Sequence, residues 1–174
     1  MDLKTLLLPA EWSPEQLEQE ARRVYFDDLA PSPPQTPSFH WLEKRTLEIA
    51  GTEGGFRKIF GEVEDWAAYS HRKTGRLDVE RMRRAPWIRP VLEMRARKTK
   101  IYVNSHSMKP REHGPRAHGD KKRLFVTTGN GLLYFISLVY LERSLALSTA
   151  FEPDGQWLRE TLRKHGTTLL GPMP

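Results

Sequence analysis

Residues 123–151 read RLFVTTGNGLLYFISLVYLERSLALSTAF, and most of the predicted strands lie in this stretch. Three runs rich in aliphatic, β-branched and aromatic residues are separated by the short segments TGNG and ERS. Gly and Asn adopt the positive φ angles of a tight hairpin, and a three-residue connection also reverses the chain directly. The pattern therefore predicts three consecutive antiparallel strands, 123–128, 132–141 and 145–151. The middle run is apolar at nearly every position, which predicts a central strand covered on both faces.

The residues before this stretch change from helical spacing to alternation. KIYVN at 100–104 alternates and predicts one more strand. Upstream of it, helical spacing and helix-start signals such as Ser13-Pro14 predict helices over 13–29, 39–50, 56–70, 78–84 and 87–97, and a closing helix is predicted over 154–165. GTEGG at 51–55 is interpreted as a helix terminator. Helices followed by a four-stranded antiparallel β-sheet and a closing C-terminal helix define an α+β fold.

A proline-rich segment divides the chain into two parts. PSPPQTP at 31–37 cannot form helix or central strand and is interpreted as an extended linker. The predicted organisation is an N-terminal helix and Pro-rich linker at 1–37 and an α+β domain at 38–174. The N-terminal helix is acidic, so it is expected either to fold back over basic residues elsewhere in the chain or to form a dimer contact.

Composition excludes several classes of protein. A chain of 174 residues is long enough to bury a core without disulfide or metal staples. The absence of Cys excludes a disulfide framework, a thiol nucleophile and thiolate zinc sites. No apolar run approaches the roughly 18 residues of a membrane span, and no signal peptide is evident, so we expect no membrane contact and a cytoplasmic location.

The positive charge is confined to one segment. The chain carries a net charge of +6, and residues 95–123 hold ten basic and two acidic side chains, for a net of +8. The same segment contains three of the six His residues. A cluster of this kind attracts a polyanion through phosphate neutralisation, although a solvated basic loop has the same composition.

Alternation on the first two strands predicts which side chains share a face. If Ile101 and Val126 face the helices, then Lys100, Tyr102 and Phe125 face the other way. Cations beside aromatic rings suit RNA, because the cations neutralise phosphates and the rings stack on unpaired bases. Any half-exposed sheet shows the same alternation, so this pattern leaves a purely structural interpretation open.

Five short motifs carry a family resemblance. In chain order they are FHWLE at 39–43, RAPWIRPVL at 84–92, KIYV at 100–103, KRLFV at 122–126 and LSTAF at 147–151. Their order resembles the phage-associated branch of the barnase, EndoU, colicin and RelE-like (BECR) nuclease superfamily. The resemblance covers about residues 39–151, and its most specific element is the last strand.

The resemblance implies a metal-independent ribonuclease fold without cofactors, with its site on the open face of the sheet. Members of this superfamily are typically toxins of phage, conflict or toxin–antitoxin systems that cut RNA, often tRNA or mRNA. The residues that match the catalytic positions of the family are His40, Lys100, Lys122, Arg123 and Thr149. Residues expected to bind nucleic acid are Tyr102, Lys109, Arg111, His113, Arg116, His118, Lys121 and Ser148. Residues 105–120, with their three His, are an insert relative to the family core.

These residue types fit metal-free RNA cleavage. Attack by the 2′-hydroxyl needs a base, an acid and fixed positive charge, which His40 and the cations would supply. His40 also fits a helix-start position packed against Trp41, and no two His of the insert have the spacing of a helical metal site. Two other functions remain open: a non-catalytic RNA- or DNA-binding module, and an interaction protein that docks an acidic partner such as an antitoxin or inhibitor.

Overall fold

The computed structural model describes residues 2–30, 46–65, 70–93, 99–104, 123–128, 133–140, 144–164 and 167–169. The N-terminal elements are a 3₁₀ turn Leu3–Leu6, α1 (Pro14–Arg23), a π-helical segment Val24–Leu29, β1 (Thr46–Glu48), α2 (Glu53–Phe60), β2 (Gly61–Asp65), β3 (Ser70–Leu77), α3 (Val79–Arg83), a 3₁₀ turn Ala85–Trp87 and α4 (Ile88–Leu92). The C-terminal elements are β4 (Lys100–Asn104), β5 (Arg123–Thr127), β6 (Phe135–Tyr140), β7 (Ser144–Phe151), α5 (Gly155–Lys164) and β8 (Thr167–Leu169).

One mixed sheet organises these elements. Its strand order is β1-β7-β6-β5-β4-β8, and β4 to β7 form a continuous antiparallel meander. β1 adds in parallel at the β7 edge, and β8 adds antiparallel at the β4 edge. β2 and β3 form a separate hairpin. The α+β class and the predicted four-stranded antiparallel sheet are therefore confirmed.

The two faces of β4–β7 pack against different layers. Ile101, Val126 and Ile136 belong to the main core, which also contains the buried residues of α1, α2, α3 and α4. Their neighbours along the strands point the other way, and Phe125 and Phe135 form a second, smaller core with α5. The sheet is thus covered on both faces at its centre, as the apolar character of β6 predicts.

The N-terminal helix packs into the main core. Ser13 caps α1 through the reciprocal hydrogen bonds of a capping box, and Pro14 occupies the first helical position. Leu17 and Ala21 are buried, and Tyr25 of the following π-helical segment contacts the rings of α2. The predicted boundary after residue 37 lies outside the described residues.

Four predictions are wrong in the region before β4. Residues 46–48, predicted as helix, form β1. The helix predicted over 56–70 ends at Phe60, because Gly61 leaves the helix with extended angles and begins a hairpin strand. GTEGG does not terminate a helix but starts one, since the Thr52 hydroxyl accepts from the Gly55 N–H as the N-cap of α2. The helix predicted over 87–97 is α4, which ends at Leu92.

The start of α2 requires a glycine at position 55. A Cβ there would overlap the Ala50 carbonyl oxygen and lie 2.5 Å from the Tyr25 hydroxyl. That hydroxyl donates to the same carbonyl at 2.7 Å, and burial raises the pKa of Tyr25 to about 12. The close approach therefore joins the N-terminal layer to α2 at a point with no room for a side chain.

We expect Gly55→Ala to lower the free energy of unfolding by about 1–3 kcal/mol, because the added methyl group must push the chain apart. Gly54→Ala is the matched control: its Cβ would meet only the Thr52 hydroxyl at 3.9 Å, and helical propensity favours Ala by about 0.5–1 kcal/mol. Urea denaturation of both variants measures the difference. Equal stabilities would contradict the packing described.

Candidate functional site

The strand register places several predicted site residues on one face of the sheet. Tyr102 pairs with Phe125, Phe125 with Ser137, and Ser137 with Thr149, so these four residues form one row across β4, β5, β6 and β7. Tyr102 and Phe125 belong to the second core, so the row lies on the side of the sheet that α5 packs against. We call this side, defined by Tyr102, Phe125, Phe135 and Phe151, the α5 face.

Accessibility differs along this face. Lys100 is exposed, and Tyr102 and Thr149 are half-buried. Phe125 is only 3% exposed and Ser137 is also buried. The family resemblance implies an open sheet face, whereas the centre of this one is covered. Its accessible predicted residues therefore lie on β4 and β7, about 14 Å apart at the usual strand spacing.

The structure describes only two of the remaining predicted residues, Arg123 and Ser148. Arg123 begins β5 opposite Val139, and Ser148 is half-buried beside Thr149 on β7. The other predicted residues lie outside the described part of the chain: His40, Lys109, Arg111, His113, Arg116, His118, Lys121 and Lys122. The structure thus brings Lys100, Tyr102 and Thr149 to one face.

A cleft of about 530 Å³ opens where β7 ends, between α3 and the start of α5. Two arginines, four carboxylates and two aromatic rings dominate its lining. The lining residues are Asp78, Glu80, Arg81, Arg84, Phe151, Glu152, Pro153, Asp154 and Trp157. Phe151 and Trp157 also belong to the second core, so the cleft is continuous with the layer that α5 forms on the sheet.

Arg84 is held between two carboxylates in this cleft. Its Nη1 donates to Glu80 Oε2 at 2.5 Å, and its Nη2 pairs with Glu152. The guanidinium also lies 5.5 Å from the centre of the Trp87 ring. Hydrogen bonding to Arg84, more than any other interaction, lowers the pKa of Glu80. Both carboxylates are therefore ion-paired with Arg84.

Arg81 is a buried cation at the back of the cleft, only 5% exposed. Its Nη1 donates to the Ile59 carbonyl at 3.0 Å, its Nε lies 3.5 Å from Asp78, and its guanidinium stacks 5.1 Å from the centre of the Phe151 ring. Burial lowers the pKa of Arg81. This side chain therefore joins the end of α2, the cap of α3 and the end of β7.

None of the residues predicted for the site lines this cleft. RAPWIRPVL carries part of the family resemblance, but its Arg84 pairs with Glu152, 68 positions later in the sequence. The carboxylates Asp78 and Asp154 appear in the sequence only as helix-start residues, and they do cap α3 and α5. Only the folded sheet brings these segments together, so no local pattern could have indicated the cleft.

No protein-family model, curated protein or solved structure matches this chain. The function must therefore be argued from the site itself. In the described ranges, no three His, Asp or Glu side chains are grouped so that they could hold a metal ion. None of the helices in those ranges combines the length and apolar character of a membrane span.

Arg81 is expected to be a structural residue of the cleft. Arg81→Met should lower the free energy of unfolding by about 2–3 kcal/mol, because the Ile59 carbonyl and Asp78 lose a charged hydrogen-bonding partner. Arg89→Met is the control, since Arg89 is 44% exposed and its pair with Glu93 is worth about 0–1 kcal/mol. Urea denaturation compares the two. A loss for Arg81→Met no larger than the control's would contradict this assignment.

Proposed function

We propose that this protein is a metal-independent endoribonuclease that binds RNA on the α5 face of its sheet. The observation that carries the proposal is the register, which aligns Tyr102 with Thr149 in one row and places Lys100 on the same strand as Tyr102. The face thus combines a cation that can neutralise a phosphate, an aromatic ring that can stack on a base and a hydroxyl that can form hydrogen bonds.

The charge of the chain supports the same surface. The segment with net charge +8 includes all of β4 and ends at Arg123, the first residue of β5. The segment therefore contains the strand that carries both Lys100 and Tyr102 and reaches the start of the neighbouring strand β5. RNA binding driven by counterion release needs such a concentration of positive charge next to the groups that contact the strand.

The proposed chemistry follows from the residue types. A base removes the proton of the 2′-hydroxyl, whose oxygen forms a bond to phosphorus while the bond to the 5′-oxygen breaks. An acid then protonates the departing 5′-oxygen, leaving a 2′,3′-cyclic phosphate and a 5′-hydroxyl. His40 is the candidate for a proton-transfer role, and Lys100, Lys122 and Arg123 stabilise the charge that develops on the phosphate. Thr149, on a strand about 14 Å from β4, orients an oxygen of another phosphate in the bound strand.

A second candidate function uses the same surface without chemistry. The accessible residues Lys100 and Tyr102 suit binding of any single strand, RNA or DNA, through charge and stacking. Salt-dependent binding without scission would select this function over the nuclease.

Cleavage of total RNA in excess EDTA tests the nuclease directly. We expect the purified chain to produce fragments ending in 2′,3′-cyclic phosphate, because the reaction uses the 2′-hydroxyl of the substrate and no metal. The double variant His40→Ala/Lys122→Ala should lose cleavage while keeping the fold, as measured by circular dichroism. Intact RNA with the wild type, or undiminished cleavage by the double variant, would refute the proposal.

The contribution of the sheet face is tested by binding. Lys100→Ala should weaken RNA binding and reduce the slope of log affinity against log salt by about 1, as expected for a lost phosphate contact. Arg76→Ala is the matched control, because Arg76 is also exposed but lies on β3, outside the main sheet. Fluorescence anisotropy with a labelled single-stranded RNA measures both. Identical slopes for the two variants would place the RNA elsewhere.

A further inference from the structure

α5 occupies the surface that the proposed function assigns to RNA. Its residues Leu158 and Leu162 pack on the rings of the α5 face, and its Trp157 ring lies 5.3 Å from that of Phe135 and 5.1 Å from that of Phe151. Three aromatic side chains of the sheet, Phe125, Phe135 and Phe151, are between 2% and 8% exposed. Without the helix, this face would present a set of rings in adjacent rows.

The layer under α5 is separate from the main core. Four buried residues form it, Phe125, Phe135, Phe151 and Leu158, whereas the main core on the opposite side of the sheet is several times larger. The chain after α5 is attached to the sheet by β8, which pairs three residues with the edge of β4. Opening this layer leaves the main core intact, so it costs less than global unfolding.

A buried hydroxyl on this face lacks a partner. Ser137 is 3% exposed, and its Oγ makes no hydrogen bond within the described part of the chain. It lies in the central row between Phe125 and Thr149. An unsatisfied buried hydroxyl is unfavourable, and a polar ligand on the opened face would satisfy it.

We propose that α5 is an autoinhibitory cover, and that single-stranded RNA binds the α5 face fully only when this helix is displaced. The inference rests on the proposed function of the face. The sheet beneath the helix carries the three features of a single-strand platform: rings for bases, hydroxyls at Ser137 and Thr149, and a flanking cation at Lys100. Displacement exposes the rings and the Ser137 hydroxyl together.

The mechanism predicts a dependence of affinity on helix stability. A helix of ten residues is not stable by itself in water, so α5 unfolds when it leaves the sheet. The observed affinity for RNA is then the intrinsic affinity multiplied by the open fraction. Any change that weakens α5 without touching the sheet raises the apparent affinity.

Substitution of the N-cap residue of α5 weakens this helix without changing the sheet. Asp154 Oδ1 accepts from the N–H groups of Gln156 at 2.8 Å and Trp157 at 3.1 Å. Asp154→Ala removes this cap, whereas Asp154→Asn removes the same negative charge and keeps a good capping side chain. Ser13→Ala removes the cap of α1, which packs in the main core, and controls for loss of stability in general.

Anisotropy titrations with a single-stranded RNA decide the matter. We expect Asp154→Ala to bind about fivefold more tightly than Asp154→Asn, the factor expected for loss of a typical cap, and Ser13→Ala to bind like the wild type. Equal affinities of the two Asp154 variants for RNA would refute the proposal that α5 blocks RNA binding. Absence of binding by every variant, including the wild type, would instead refute the proposed function.

Hydrogen exchange provides a second test on the unmodified chain. Saturating RNA should accelerate amide exchange in residues 155–164 while leaving α2 and β6 protected. Slower exchange of α5 in the RNA complex would show that the helix forms part of the bound surface, and would overturn the proposal even if RNA binds.

Discussion

Side-chain alternation organises a meander whose two faces both pack, and a single β-bulge at Ser148 interrupts it on β7. Ile101, Val126 and Ile136 point to the helices of the main core, so their neighbours Tyr102, Phe125 and Phe135 must point to the opposite side. A shift of the register by one residue would exchange these sets and place polar Thr127 and Ser137 against the main core. The alternation therefore fixes both the fold and the composition of the α5 face.

How far the sequence predicts this fold depends on how local the signals are. The strands of the meander are predicted within about three residues, because alternation, TGNG and ERS are all short-range features. β1 and the β2–β3 hairpin are missed, since their pairing partners are distant or their residues also have helical spacing. Phe56, Ile59 and Phe60 do lie on one buried face of a helix, but Gly61 ends it, and no apolar pattern marks that change.

The candidate site shows the same division. Alternation places Lys100 and Tyr102 on one face. It does not place Thr149 there, because Leu147 faces the main core and a β-bulge at Ser148 turns Thr149 to the α5 face. The packing of α5 on this face is not predictable from the strands. The sequence predicts that α5 is a helix, but it does not indicate which face of the sheet the helix covers. The cleft depends on contacts such as Arg84 with Glu152, which only the tertiary fold creates. Phe151 and Trp157 join the cleft to the α5 layer, so the end of β7 connects both features.

The proposed function requires the RNA strand to contact the α5 face. Photocrosslinking with a single-stranded RNA that carries 4-thiouridine, followed by peptide mass spectrometry, locates this contact directly. We expect crosslinks to peptides containing Tyr102 and Thr149, and we expect unlabelled RNA to abolish them by competition. Crosslinks confined to α1, α2 and the β2–β3 hairpin would place the RNA away from this face and contradict the account.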